Sequence, residues 1–147
     1  MDKFRLAGQA IILHLNARKE GGEEDKALAV DVKLQAKVAS ECIDFFDEHI
    51  RAALYTDVGA VRNPLLGPIT FAADFSDYTM TIAGLTQTGV SLKKFNFVPV
   101  DGDLADLTLQ ASFTPSGTEV ATLAEYLKDE ISLTLEPSTE DLFEAAK

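Results

Sequence analysis

The chain has 147 residues, 46% of them apolar, and a formal net charge of −11 at pH 7. Its length and apolar content suffice for one continuous core, which argues against global disorder and predicts a single globular domain over residues 1–137. The negative charge disfavours nucleic acid and anionic membranes on average and favours encounter with basic partners.

Cell compartment is constrained by three absences in the sequence. No run of about 18 apolar residues occurs, so we expect no membrane-spanning helix. The apolar stretch at residues 10–15 is interrupted by His14 and is too brief for a signal peptide. Cys42 is the single cysteine, which excludes an internal disulfide and a cage of thiolates, and we expect it to be an inert, buried small hydrophobe. A soluble protein in a reducing cytoplasm is therefore expected.

A hairpin followed by a helix is predicted for the first part of the chain. Apolar and polar residues alternate over residues 11–18, with Ile12 assigned to the polar face, and again over residues 26–38. The glycines and charges of residues 20–25 predict a long, mobile turn between these strands. Ser40 is then expected to cap a helix of about three turns ending near Leu54.

The middle of the chain predicts a loop and a second hairpin. Residues 55–68 contain two prolines and no periodic pattern, which indicates an ordered surface loop. Alternation resumes in residues 69–75. Ser76 and Asp77 are expected to turn the chain back into a strand at residues 78–82.

A third hairpin, a helix and a last strand complete the pattern. Residues 92–98 and 107–113 alternate on either side of a turn at residues 99–103. Helical spacing over residues 120–127 precedes a strand that Pro137 ends and that is expected to close the sheet. The predicted fold is mainly β (α+β), an antiparallel sheet or sandwich of about seven strands with two short packed helices.

Catalytic and metal-binding motifs are not found. The turn Asp101-Gly102-Asp103 offers carboxylates, but a calcium loop needs an oxygen ligand where Ala105 stands, so an ordinary tight turn is favoured. His14 and His49 are the only imidazoles, and neither has metal-ligand spacing. We therefore predict no catalytic residue, no metal and no cofactor, although an active site assembled from distant residues leaves no local motif.

One strand combines cations with aromatic rings, as proteins that hold single-stranded nucleic acid do. The candidate nucleic-acid-binding residues are Lys93, Lys94, Phe95 and Phe97. The two phenylalanines lie two positions apart and so share one strand face, which more often indicates a core. Both interpretations are retained.

Residues 138–147 are predicted to form an acidic C-terminal tail. The candidate protein-interaction residues in it are Glu140, Asp141, Leu142 and Phe143. They look like the acidic peptides by which some single-strand binders recruit replication enzymes, but an acidic frayed terminus has the same composition.

Four segments together carry a resemblance to a group of proteins. They are Asn16-Ala17-Arg18-Lys19-Glu20, residues 29–36, Asp44-Phe45-Phe46, and residues 107–115 before a short helix and a final strand. In this combination the chain resembles small uncharacterised proteins of tailed phages and prophages, often encoded near replication and recombination functions. The similarity spans most of the chain but carries over no catalytic or binding residue. It implies a phage-encoded accessory protein in the host cytoplasm.

Three functions are compatible with these observations. The leading one is a non-enzymatic accessory protein that engages a host or phage protein, such as a basic nucleic-acid-processing or defence factor, through an acidic surface. The alternative is a single-stranded nucleic-acid-binding protein of a replication or recombination module, with the tail as recruiter. The third is an enzyme or a nucleotide-sequestering protein with a pocket near residues 55–68.

Overall fold

Extended segments with alternating burial dominate the structure, a computed structural model that describes residues 4–20 and 27–138. The elements are β1 (Leu6–Glu20), β2 (Ala27–Ala39), α1 (Glu41–Asp44), α2 (Arg51–Leu54), β3 (Ile69–Phe71), β4 (Phe75–Ile82), β5 (Leu85–Val100), β6 (Leu104–Phe113), α3 (Gly117–Glu125) and β7 (Glu130–Pro137). The prediction of a mainly β fold with about seven strands is confirmed.

All seven strands belong to one antiparallel sheet, and most of that sheet closes on itself. Neighbours along the sheet run in the order β3-β5-β4-β7-β1-β2-β6, and β6 also pairs with β5. Six strands therefore form a continuous ring, while β3 pairs with β5 alone. Closure pairs most of the strand edges and leaves an interior that apolar side chains fill.

Two of the predicted hairpins are confirmed, and so is the role of the last strand. β1 pairs with β2, and β5 pairs with β6 across the turn at residues 101–103. β7 lies between β1 and β4 and thereby closes the ring. The mobile turn was predicted for residues 20–25; Glu20 is the last residue of β1, and residues 21–25 lie outside the described residues, as does the predicted tail beyond Ser138.

A bulge in β1 changes which residues face the core. Ile12 pairs with Leu34 and His14 pairs with Lys33, so Leu13 is an extra residue without a partner in β2. One inserted residue reverses the alternation, because side-chain direction has a period of two. Ile12 is consequently fully buried, and its predicted place on the polar face was wrong.

The predicted second hairpin was also wrong. β3 and β4 both run antiparallel to β5, against residues 95–97 and 85–92 respectively, so they follow one another along the same edge. Ser76 and Asp77 form a bulge within β4. The chain reverses instead at Ala83 and Gly84, whose φ values of 49° and 85° are those of a two-residue hairpin turn.

The helix predicted after Ser40 divides into two single turns, α1 and α2. Ser40 itself has helical φ and ψ and makes no side-chain cap. Its hydroxyl donates instead to Oδ1 of Asp103 at 2.5 Å, across the end of the β5–β6 hairpin. That tertiary hydrogen bond explains why the predicted cap does not form.

The second predicted helix is present as α3, and it begins with a capping box. The hydroxyl of Ser116 accepts from the backbone N–H of Glu119 at 3.2 Å, and the carboxylate of Glu119 accepts from the backbone N–H of Ser116 at 2.9 Å. These contacts, with a further hydrogen bond from the amide of Gln87, lower the pKa of Glu119. Leu123 is the residue by which α3 is buried against the sheet.

Candidate functional site

One cluster of aromatic side chains joins the helical turns to the sheet. Seven of the nine phenylalanines belong to it, namely Phe4, Phe45, Phe46, Phe71, Phe75, Phe95 and Phe97. Phe46 lies at its centre, with ring centroids 4.9 Å from Phe95 and 5.1 Å from Phe71. Such edge-to-face and offset contacts stabilise a fixed arrangement of rings.

Part of this cluster faces solvent in a groove of about 860 Å³. We call this the aromatic groove, and the residues that line it are Glu41, Asp44, Phe45, Phe46, Glu48, Ala73 and Phe75. It lies where the chain passes from β3 to β4 beside α1. Phe45 is 37% exposed, whereas Phe95, which contacts Phe46 and Phe75, is fully buried. The groove is therefore the open side of a cluster whose other rings are buried or half-buried.

Carboxylates form the polar rim of the aromatic groove. The guanidinium of Arg51 binds Asp44 through two contacts, 2.8 Å and 3.1 Å long, and reaches Glu41 at 3.4 Å. Glu48 is exposed and pairs with no cation among residues 4–20 and 27–138. Residues 41–51 hold four carboxylates against one arginine, so this segment has a net charge of −3 with His49 neutral.

A second concave surface of about 470 Å³ lies on the outer face of β1, β2, β5 and β6. We call it the basic cleft, and the residues that line it are His14, Asn16, Arg18, Asp31, Lys33, Lys93, Lys94 and Gln110. Its middle is a row of facing residues across four strands, Lys93, Gln110, Lys33 and His14. Facing residues of an antiparallel ladder share one side of the sheet, so these polar side chains point outward together.

A second bulge places two consecutive lysines in the basic cleft. Lys93 pairs with Gln110 and Asn96 pairs with Thr108, so Lys94 and Phe95 together oppose one residue of β6. Lys94 has a φ of 59°, in the left-handed region that favours glycine. Strict alternation would direct Lys94 inward after Lys93. The bulge lets both lysines remain exposed while Phe95 enters the core.

The predicted nucleic-acid-binding residues are thus divided between core and surface. Phe95 and Phe97 are fully buried, so their rings cannot stack on a base, and the core interpretation of this pair is confirmed. Lys93 and Lys94 line the basic cleft. The candidate residues of the tail, Glu140, Asp141, Leu142 and Phe143, lie outside the described residues.

The remaining sequence candidates have structural roles. Cys42 is half-buried rather than buried as expected, and burial raises the pKa of its thiol from 9.0 to about 11, which favours the protonated form at neutral pH. Asp101 accepts the backbone N–H of Val61 at 2.8 Å, which ties the loop at residues 55–68 to the β5–β6 turn. Burial likewise raises the pKa of Tyr55, whose hydroxyl donates to the carbonyl of Leu104.

Among the described residues, no group of three or more His, Cys, Asp or Glu side chains is arranged to hold a metal ion.

Sequence reasoning missed the aromatic groove and found only Lys93 and Lys94 of the basic cleft, because each surface is assembled by pairing that alternation does not reveal. The aromatic groove needs the break between β3 and β4, and the basic cleft needs two bulges and the register of four strands. One signal was available. Phe45 and Phe46 are adjacent, so a single helical stripe could not bury both rings equally.

Comparison with protein-family models, with curated proteins and with solved structures finds no match for this chain. None of the helices in the described ranges has the length and apolar character needed to cross a bilayer.

Proposed function

We propose that the chain is a non-enzymatic binding protein whose aromatic groove receives a segment of a basic partner protein. The segment would combine an aliphatic or aromatic anchor with flanking lysine or arginine. The observation that carries this proposal is the partly exposed ring of Phe45, at the mouth of a phenylalanine cluster and beside carboxylates. Aromatic side chains in a concave surface are typical of the residues that dominate binding energy at protein interfaces.

Rigidity of the groove supports this function. Phe45, Phe46 and Phe75 are each held by contacts with Phe4, whose ring is itself buried. A partner side chain would therefore meet a preformed surface, so ordering of the groove itself would add little to the entropy cost of binding. A volume of about 860 Å³ is sufficient for more than one side chain of a partner.

Charge supports a basic partner. The −3 charge of residues 41–51 and the −11 charge of the chain attract cations at long range and repel acidic surfaces. Glu48, which has no cation beside it in the described part of the chain, is the rim carboxylate best placed to pair with a partner. The partner class implied by the resemblance to phage proteins, a nucleic-acid-processing or defence protein of the host or phage, fits this charge.

Fluorescence anisotropy with labelled short peptides tests the proposal. The probe peptide has a central tryptophan between lysines, and the comparison peptides have alanine at the centre or glutamates in the flanks. We expect the probe alone to bind, with affinity that falls as salt is added. Phe45→Ala and Glu48→Lys should each weaken binding about tenfold, which corresponds to ~1.4 kcal/mol.

Matched controls separate this groove from general surface properties. Leu65 is a large apolar residue that is 94% exposed and does not line the groove, and Glu125 is an exposed carboxylate on α3. Leu65→Ala and Glu125→Lys should leave the affinity unchanged within about twofold. Equal binding of all three peptides, or equal losses in the control variants, would contradict the proposal.

A further inference from the structure

We propose that the basic cleft is a second binding site, separate from the aromatic groove, and that its ligand carries phosphate. The two surfaces share no residue. Lys93 and Lys94 were predicted from the sequence to bind nucleic acid. In the present proposal they recognise phosphate by charge, and no base stacks on an aromatic ring.

Concentrated positive charge is the first argument. Arg18, Lys33, Lys93 and Lys94 line the cleft against the single carboxylate of Asp31, so its net charge is +3 with His14 neutral. The whole chain has 24 acidic and 13 basic residues, which makes this local excess of cations unusual for the molecule. Like charges grouped on one sheet face repel one another unless an anion lies between them.

Asp31, whose carboxylate lines the cleft, already has partners within the protein. Asp31 forms an ion pair with Arg18 and accepts the hydroxyl of Ser112 at 2.7 Å. Lys33, Lys93 and Lys94 have no carboxylate partner within residues 4–20 and 27–138. Their ammonium groups are therefore available to an external anion.

Backbone geometry is the second argument. Lys94 adopts a φ of 59°, which costs a residue with a side chain about 1–2 kcal/mol relative to glycine. A strained, non-glycine position at a bulge is characteristic of functional sites, where bulges redirect side chains. Glycine at this position would keep the bulge and relieve the strain.

The chemistry of the lining favours phosphate over an acidic peptide. Every residue that lines the cleft is polar or charged, so no apolar side chain is present there to receive the apolar anchor of a peptide. Lysine ammonium groups bind phosphate as point charges, and the amides of Gln110 and Asn16 can donate to its oxygens. Lys93 and Lys33 lie two strands apart, about 10 Å, which suits one organic phosphate or successive phosphates of a chain.

Titration of the full chain at low salt, followed by calorimetry and by NMR, tests this site. Three probes are used separately: inorganic phosphate, adenosine monophosphate and a single-stranded oligothymidylate. We expect at least one of them to bind and to shift the amide signals of His14, Lys33 and Gln110. Binding of the monophosphate alone identifies a nucleotide site, whereas binding of the oligonucleotide alone identifies a backbone-tracking site.

Two glycine substitutions provide the matched comparison. Lys128 is an exposed lysine with a φ of 71° outside the cleft, so Lys128→Gly removes the same charge and relieves the same backbone strain as Lys94→Gly. Lys94→Gly should raise the melting temperature yet weaken binding about tenfold, whereas Lys128→Gly should raise it without changing affinity. Absence of binding by all three probes, equal binding of sulfate, or equal affinities of the two variants would overturn the proposal.

Discussion

Ser40 and Asp103 are 63 positions apart in the chain and are joined twice. The hydroxyl of Ser40 donates to the carboxylate of Asp103 at 2.5 Å, and its backbone N–H donates to the carbonyl of the same residue at 2.9 Å. Ser40 is fully buried, although serine side chains are usually exposed. These contacts hold the end of β2 and the start of α1 to the β5–β6 turn, and so place α1 beside the aromatic cluster.

Removal of that hydroxyl should therefore destabilise the fold. Ser40→Ala leaves a carboxylate without a donor in a half-buried position, and we expect a loss of about 1–3 kcal/mol in the free energy of unfolding. Urea denaturation followed by circular dichroism measures it. Ser132→Ala, at an exposed position of β7, is the control and should change stability by less than about 0.5 kcal/mol. Equal stabilities of the two variants would show that the Ser40–Asp103 contact contributes nothing.

The turn that carries Asp103 should also tolerate no side chain at Gly59. The carbonyl of Gly59 accepts the backbone N–H groups of Gly102 and Asp103 at 3.0 Å and 2.8 Å. A Cβ at Gly59, where φ is +82°, would lie 3.0 Å from the backbone nitrogen and Cβ of Asp103. We expect Gly59→Ala to lower the free energy of unfolding by about 2–4 kcal/mol.

Gly89→Ala separates backbone strain from steric contact in that prediction. Gly89 also has a left-handed φ, +64°, but a Cβ there would meet nothing within 4 Å. Its replacement should cost about 1 kcal/mol in the same denaturation experiment. A cost at Gly59 no larger than that at Gly89 would contradict the close approach of the two turns.

Cys42 should make stability depend on pH in the alkaline range. Burial raises its pKa from 9.0 to about 11, so the unfolded chain releases this proton at a lower pH than the folded chain does. The resulting stabilisation is complete below pH 9 and is lost as pH rises from 9 to 11. We expect the stability difference between the wild type and Cys42→Ala to stay constant below this window and to shrink within it.

Alkylation by iodoacetamide is an independent check on the same thiol. Near neutral pH the thiolate fraction of Cys42 should be about 100-fold smaller in the folded protein than in the urea-unfolded chain, because the pKa differs by about two units. Equal alkylation rates in the two states would place the thiol in solvent.

Period-two alternation predicted most of the strands but could not predict their register. The pattern of β2, with Val30, Val32 and Leu34 buried, is regular and was recognised. The left-handed conformations of Ala83 and Lys94 fall on residues that sequence rules do not assign to that region, so the bulge at Lys94 and the reversal at Ala83 were missed. Local pattern cannot report pairings that distant strands impose.

In the candidate surfaces, too, some features follow from local spacing in the sequence and others depend on how distant elements pack. Burial of Phe95 and Phe97 followed from their spacing, because residues two apart in a strand share a face. The partial exposure of Phe45 depends on how α1 packs beside β3 and β4, which no local pattern contains. Likewise, Lys33 joins Lys93 in one cleft only through the pairing of both β2 and β5 with β6.

The most direct test of the aromatic groove maps where a basic, tryptophan-containing peptide binds. The measurement is the change in backbone amide signals of the isotope-labelled protein during titration with that peptide. We predict that the largest changes fall on residues 41–48 and 73–75, and that Phe45→Ala raises the peptide concentration needed to produce them about tenfold. Changes confined to other surfaces, or none at peptide concentrations that give binding by anisotropy, would contradict the account.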